Sequence, residues 1–444
     1  MVLYIKVSVD RLRVGRGTRS AGPPPSSPSA KELHVSDRRV LVLGGHQTDF
    51  QIKWPADDLF GMLKASLLGA LRDADVATGA VDSIHIANFG AEIFSGQSLL
   101  GGMAVSTHPD FAGLPTARHE SACASGSVAI LQAMAEIEAG RSDVVVVVGV
   151  EILRNVPGPE AAERMRAGTW QGREAVDEPL PFTRLFGRIA DEYNRRYGLD
   201  HAHLGRIAEK NLTNARRNPN AQTRAWDLDR LSFGEDDETN PIVTGLLRKQ
   251  DCGRITDGGA AVVLASESFV ERHLAQRSIS MADVAVISGW GHATAPLLLE
   301  DKFRLSQDDP FVFPFVRSAI TSAYGRAGID GPRDLDVIET HDCFSITEYL
   351  ALDHFGITAP GESWVAVEKG EIDFDGPLPV NPSGGLIGLG HPVGATGVRM
   401  LLDSTRQVTG SAGDYQVEGA ARAATLNLGG STTSAVSFVV ERAG

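Results

Sequence analysis

Residues 144–150 read VVVVVGV, bracketed by Asp143 and Glu151. A strand with one face in water alternates polar and apolar side chains, whereas a strand covered on both faces does not. The run therefore predicts a central strand with helices packed above and below it. It is too short to span a bilayer, which takes about 20 apolar residues, and nothing elsewhere in the chain approaches that length.

The flanking sequence agrees with a layered arrangement. Residues 39–44 predict a strand, residues 56–73 a helix with Leu59, Met62, Leu63 and Leu67 on one face, and residues 84–89 another strand. Residues 127–139 predict the helix that leads into the apolar run, and this alternation defines the α/β class. Beyond residue 153 apolar runs shorten and arginines accumulate, from Arg164 and Arg166 to Arg217 and Arg224, which predicts an inserted, mainly helical subdomain over residues 153–250. Strand patterning resumes at 260–265 and 284–289. It is followed by a helix at 316–327, a strand at 337–339, a helix after Phe344, and paired strands near 423–428 and 435–440. The second half echoes the first. The expected organisation is two duplicated α/β halves forming layered sheets and helices, residues 37–275 with the insertion and residues 276–444. Residues 1–36 contain PPPSSPS, which sustains neither helix nor ladder. They are expected to form a disordered extension, with an organelle-targeting peptide as the alternative because basic residues outnumber acidic ones there.

A length of 444 residues with 42% hydrophobic content allows more than one buried core. The formal charge of −14 argues against a nucleic-acid partner but leaves room for a local basic pocket. The only cysteines are Cys123, Cys252 and Cys343, with no CxxC pair. That pattern fits a reducing compartment and supplies neither a disulfide framework nor a cysteine-rich zinc site.

Three segments carry chemistry. Cys123 sits in HESACASGSVAILQ, immediately before a predicted helix. Unpaired N–H groups and the positive end of the helix dipole are expected to favour its thiolate, and Ala122, Ala124 and Gly126 leave room for an acyl group. The alternative is a buried structural cysteine. In NPSGGLIGLGHPVGATGVRM, His391 lies in a glycine-dense turn that lets backbone approach a ligand, where it can act as general base to a thiol. Phosphate cradling is the other reading of such a loop. In ETHDCFSITEYL, His341 and Cys343 follow a predicted strand at its C-terminal end, where α/β sheets place ligands. His-x-Cys as a pair of metal ligands is the alternative there.

Together these segments resemble thiolases, in particular the sterol-carrier-protein-thiolase-like branch with an HDCF motif, from about residue 38 to the end. The resemblance implies the thiolase fold and an acyl-CoA C-acyltransferase that cleaves 3-ketoacyl-CoA or runs the reverse Claisen condensation through an acyl-Cys123 intermediate. His391 would activate Cys123. Most thiolases keep a second cysteine in a C-terminal CxGGG loop, but here that loop reads Asn427-Leu428-Gly429-Gly430, so Cys343 would inherit the acid/base role and His341 would replace a water-holding asparagine. One oxyanion hole is assigned to His391 and His341, the other to the backbone N–H groups of Cys123 and Gly429. Gly253, in DCGRITDGGAA, and Gly385 are expected to bind substrate, while Cys252 is read as structural. Coenzyme A enters as substrate or product, with no resident cofactor or metal, and arginines of the insertion would meet its phosphates. The resemblance further implies a homodimer, with a small acyl-CoA-binding partner protein as a further option, and a cytoplasmic location is expected because the C-terminal ERAG is not a peroxisomal signal. Two rival readings are a thiolase-like aldolase acting on a β-hydroxyacyl-CoA with a steroid side chain, and a non-catalytic acyl-CoA or lipid-binding protein.

Overall fold

The computed structural model describes residues 38–55, 58–276 and 280–444. The expected disordered extension, residues 1–36, lies outside them. The strands are β1 (Val40–Gln47), β2 (Ser83–Ala87), β3 (Thr116–His119), β4 (Val144–Glu151), β5 (Ile242–Thr244) and β6 (Leu247–Arg248). They continue as β7 (Gly258–Ser266), β8 (Ala285–Thr294), β9 (Val337–Thr340), β10 (Arg422–Gly429) and β11 (Ser434–Arg442). The principal helices are α1 (Leu59–Asp73), α2 (Ser125–Glu138), α3 (Gly158–Met165), α4 (Pro181–Tyr197) and α5 (His201–Ala215). After them come α6 (Leu299–Leu305), α7 (Pro314–Ala327), α8 (Ser345–Phe355) and α9 (Thr396–Thr409).

The apolar run is β4, and every residue of it is buried. Its valines divide between two cores, because successive side chains of a strand point to opposite faces. Val145 and Val147 join residues of α2 and α9, while Val144, Val146, Val148 and Val150 join residues of α1. One mixed sheet runs β3-β2-β4-β7-β1-β8-β11-β10-β9. Outward from the β1–β8 seam, each side begins with its first strand, then its last, then the strand before that, so the two sides repeat one connectivity. The seam itself is short, pairing Leu41 with Val286 and Val42 with Ala285. Between β4 and β7 the chain makes α3, α4, α5 and the β5–β6 hairpin, the mainly helical excursion expected there. No helix among the described residues is long and apolar enough to cross a membrane.

Helices α2 and α9 hold equivalent places in the repeat, leading into β4 and β10. Their first turns touch backbone to backbone. A Cβ on Gly126 would lie 2.7 Å from Val398 N, and one on Gly397 would lie 2.4 Å from Ser127 N. These two glycines serve close approach, and the crossing they permit brings together the segments just ahead of each helix.

An added methyl at Gly126 has only backbone to push against, so Gly126→Ala is expected to destabilise the fold by about 1–3 kcal/mol in a urea titration. Gly325→Ala in α7, where a Cβ meets nothing within 4 Å, is the control. It should stabilise by about 0.5–1 kcal/mol through helix propensity.

Candidate active site

Cys123 occupies the tight connection between β3 and α2. Ala122 has φ +49°, a left-handed conformation that costs a non-glycine residue about 1–2 kcal/mol. It is held by Ala124 N donating to Ser121 O at 3.0 Å and by Ser125 N and Oγ donating to Ala122 O at 3.1 and 2.6 Å. Local hydrogen bonds thus hold a strained turn beside Cys123, which lines a cavity. The residue keeps some exposure there while its sulfur is enclosed.

The helix end does not produce a resting thiolate, contrary to the sequence expectation. Burial pushes the Cys123 thiol up to about 12, opposed by a hydrogen bond from the Gly430 backbone and one from its own N–H, and reinforced by Glu151 and Glu120. Removing water costs an anion more than the helix end returns.

His391 precedes α9 as Cys123 precedes α2. Its N–H donates to Thr256 Oγ1 at 2.9 Å, its Nδ1 lies 2.7 Å from Thr396 Oγ1, and its Nε2 is buried with no partner. Burial, with Arg399 adding to it, lowers its pKa to about 3, so the ring is neutral. His341 stands at right angles to it, ring centroids 5.3 Å apart. Its pKa is lowered well below the usual value by burial, then by His391 and Arg399. Cys123 Sγ and one ring nitrogen from each histidine lie within 4.8 Å of one another.

Cys343 lines the same cavity from the end of β9. Burial, then Cys123 and Asp342, push its thiol well above the ordinary range, against hydrogen bonds from Thr347 and the Phe344 N–H. The neighbouring Asp342 has a mechanical task. It accepts from Leu386 N, from Ile387 N at 3.1 Å and from Asn211 Nδ2 at 2.7 Å, fixing the turn that leads to His391. Glu151 does likewise from the end of β4, accepting from Gly394 N, Phe89 N and Gly90 N at 2.9 Å each.

Two sequence expectations are corrected. Gly385 does not face the cavity: it has φ +60°, and a Cβ there would meet the Asp342 carboxylate at 2.4 Å, so it is a packing glycine under the motif. Gly429 is the last residue of β10, paired with Ser434 in the ladder. The N–H at the thiol belongs to Gly430, which has φ +62° and lines the cavity. Thr432 follows with φ +65°, and this loop is clamped from behind by Lys302 of α6. Lys302 Nζ donates to Ser431 O, to Ser431 Oγ at 2.9 Å and to Thr433 Oγ1 at 2.8 Å. Nothing in the sequence around Lys302 marked it.

The cavity holds about 290 Å³ and reaches outward from Cys123, Cys343 and His391 between Phe182 and Phe186 of α4 and Gly253 to Ile255. Gly253 lines this cavity, and its N–H donates to Cys343 O at 2.8 Å. Cys252 packs against the core beside it with its thiol pushed up to about 12 by burial, a structural cysteine. Arginines of the insertion largely form ion pairs: Arg164 with Glu160, Arg166 with Glu163, Arg188 with Glu300, and Arg195 and Arg196 with Glu192. The two guanidinium groups lining the cavity are those of Arg154 and Arg254. Arg254 is tied to Lys249 O and Gln250 Oε1, whereas Arg154 Nε is buried with no hydrogen-bond partner.

A duplicated α/β fold with a thiol and an imidazole ahead of paired helices, and a second imidazole beside them after β9, is a thiolase-type architecture. The family described as Thiolase, N-terminal domain matches residues 46–228, and that described as Thiolase C-terminal domain-like matches residues 299–442. The chain belongs to the thiolase family. It is 31% identical to an acetyl-CoA acetyltransferase of Methanothermobacter thermautotrophicus over 407 residues, covering 91% of this chain and 100% of that protein. It is 29% identical to sterol carrier protein 2 of Homo sapiens, covering 88% of this chain and 70% of that one. Among solved structures, an Ltp2–ChsH2(DUF35) aldolase superposes with a TM-score of 0.73 at 20% identity over 91% of this chain and 98% of that one, a likeness of fold.

With the Cys123 thiol at about 12, its alkylation by iodoacetamide should rise about tenfold per pH unit from roughly pH 7 to 9 without levelling off. Peptide mapping isolates the Cys123 product, and a plateau near neutrality would mean that the helix end outweighs burial after all.

Proposed function

We propose that this chain is an acyl-CoA C-acyltransferase, cleaving a 3-ketoacyl-CoA by thiolysis or running the reverse Claisen condensation through acyl-Cys123. The observation that carries this reading is the convergence of Cys123 Sγ with a nitrogen of His391 and one of His341 within 4.8 Å. His391 takes the Cys123 proton as the sulfur attacks a carbonyl, since a neutral buried imidazole is a competent acceptor and the thiol is not ionised beforehand. His341 and the Gly430 N–H supply donors for the oxygen that gains charge.

In thiolysis the attacked carbon is the 3-keto carbon. Its bond to the α-carbon breaks, and the enolate left on the departing thioester takes a proton from Cys343. Burial keeps Cys343 protonated, as that step needs. The proton held by His391 returns to Cys343, and coenzyme A then attacks the acyl-cysteine, its thiol proton passing to the freed His391 and on to the departing Cys123 sulfur. Condensation uses the same groups in reverse, with Cys343 as the base. Retention of a nucleophile, a base and a second thiol around one cavity favours this over a non-catalytic lipid carrier. Arg154, with its unpartnered Nε, is assigned to the anionic end of the thioester substrate. A second copy of the chain is expected along β3, the outer strand of the sheet, whose residues are half-buried or exposed.

Incubation with acetyl-CoA should add one acetyl group to the intact mass, absent in Cys123→Ser. Cys343→Ala should still acylate, yet lose thiolysis and condensation by on the order of 10²–10⁴-fold. Unmodified protein that turns over a β-hydroxyacyl-CoA would replace this reading with the aldolase one. Arg154→Ala should raise KM about tenfold with kcat little changed, the signature of lost uniform binding.

A further inference from the structure

The two imidazoles facing Cys123 are both neutral. A neutral imidazole carries one N–H and one lone pair, and the partner of one nitrogen decides what the other can do. For His391 that partner is Thr396. Its hydroxyl lies 2.7 Å from Nδ1 and donates to Pro392 O at 3.0 Å. With its proton committed, Thr396 Oγ1 only accepts, so Nδ1 of His391 bears the hydrogen and Nε2 the lone pair.

For His341 the partner is Asn427. Nδ2 of that amide donates to His341 Nδ1 at 3.2 Å, while Oδ1 accepts from Ser127 Oγ at 3.0 Å. A second feature fixes the orientation of the amide. Oδ1 lies at the first turns of α2 and α9, 2.5 Å from where a Gly397 Cβ would stand, and helix N-termini favour an oxygen over an NH₂ group. His341 therefore has its lone pair at Nδ1 and its hydrogen at Nε2. Both Nε2 atoms are buried and have no protein partner.

We propose that Thr396 and Asn427 are positioning residues that give the two histidines opposite tautomers, His391 Nε2 accepting the Cys123 proton and His341 Nε2–H donating to the thioester oxygen. The roles rest on the acyl-transfer reading; the tautomers do not. The Cys123 proton moves to His391 Nε2, the sulfur–carbon bond forms, and the carbonyl π pair moves to the oxygen beside His341. On collapse the bond to the coenzyme A sulfur breaks and the proton on His391 goes to that sulfur. His341 keeps its hydrogen throughout. A metal ion at this spacing of sulfur and two ring nitrogens would need a lone pair from each ring; the nitrogens without partners are the two Nε2 atoms, and the Asn427 contact leaves His341 with hydrogen there instead.

The test is a long-range ¹H–¹⁵N correlation spectrum of the full chain labelled at histidine, assigned with His341→Gln and His391→Gln. It should show one ring protonated at Nε2, His341, and one protonated at Nδ1, His391. Asn427→Ala should disturb only the His341 pattern and lower kcat by on the order of 10²-fold with KM nearly constant, the loss typical of one oxyanion donor. Thr396→Val, which keeps the shape of the side chain, should disturb only the His391 pattern. A His341 ring protonated at Nδ1 in the unaltered chain overturns the proposal, and so does an Asn427→Ala spectrum that leaves His341 unchanged. Intact tautomers with no acyl transfer from any acyl-CoA would remove the acyl-transfer reading and leave the tautomer assignment standing.

Discussion

Gly126 and Gly397 let the first turns of α2 and α9 meet backbone to backbone, and the separation of Cys123 from His391 follows from that contact. Each functional residue stands just ahead of its helix, so a helix shift of even one methyl diameter would carry thiol and imidazole apart. The repeat explains how the contact arises: equivalent helices of two halves face each other across the β1–β8 seam, and equivalent glycines fall at the crossing. Everything else at the site is built to hold loops against this fixed pair. Glu151 grips the Gly394 turn, Asp342 grips the turn before it, and Lys302 grips the Gly430–Thr433 loop.

Burial governs the electrostatics of the centre more than any single charge does. It holds both thiols protonated and both imidazoles neutral, so the centre carries no charge on these four side chains. Other ionisable groups sit one layer behind. Glu151 and Asp342, each pushed up to about 7 by burial, spend their oxygens on backbone N–H groups. Lys302, lowered by burial to about 7, spends its protons on loop oxygens. A centre of this kind suits the proposed chemistry, in which protons pass over short distances between neutral groups without first creating isolated ions in a dry cavity.

Much of the site was legible in the sequence because motif residues act close to where the chain displays them. Cys123, His341, Cys343, His391 and Gly253 all converge, and β4 could be read from valines alone. Gly429 closes the β10 ladder, and the backbone N–H that reaches the thiol is that of the next residue, Gly430. Gly385 was misread because a glycine needed for packing looks the same in sequence as one needed for a ligand. Thr396 and Asn427 sat inside recognised segments, yet their roles depend on which atom of a distant ring they meet.

The amino-acid order by itself determined the α/β class, the duplication and which segments carry the thiols and imidazoles that line the cavity, because periodicity and short motifs are local properties of a chain. The tertiary structure decided the ionisation of the thiols, which N–H faces Cys123 and which arginine of the cavity leaves a buried Nε without a hydrogen-bond partner. It also decided which nitrogen of each imidazole carries its hydrogen. Those depend on how much water is excluded and on partners 60 to 300 positions away, such as Glu339 with Arg399 and Ser127 with Asn427, and no window of sequence contains them.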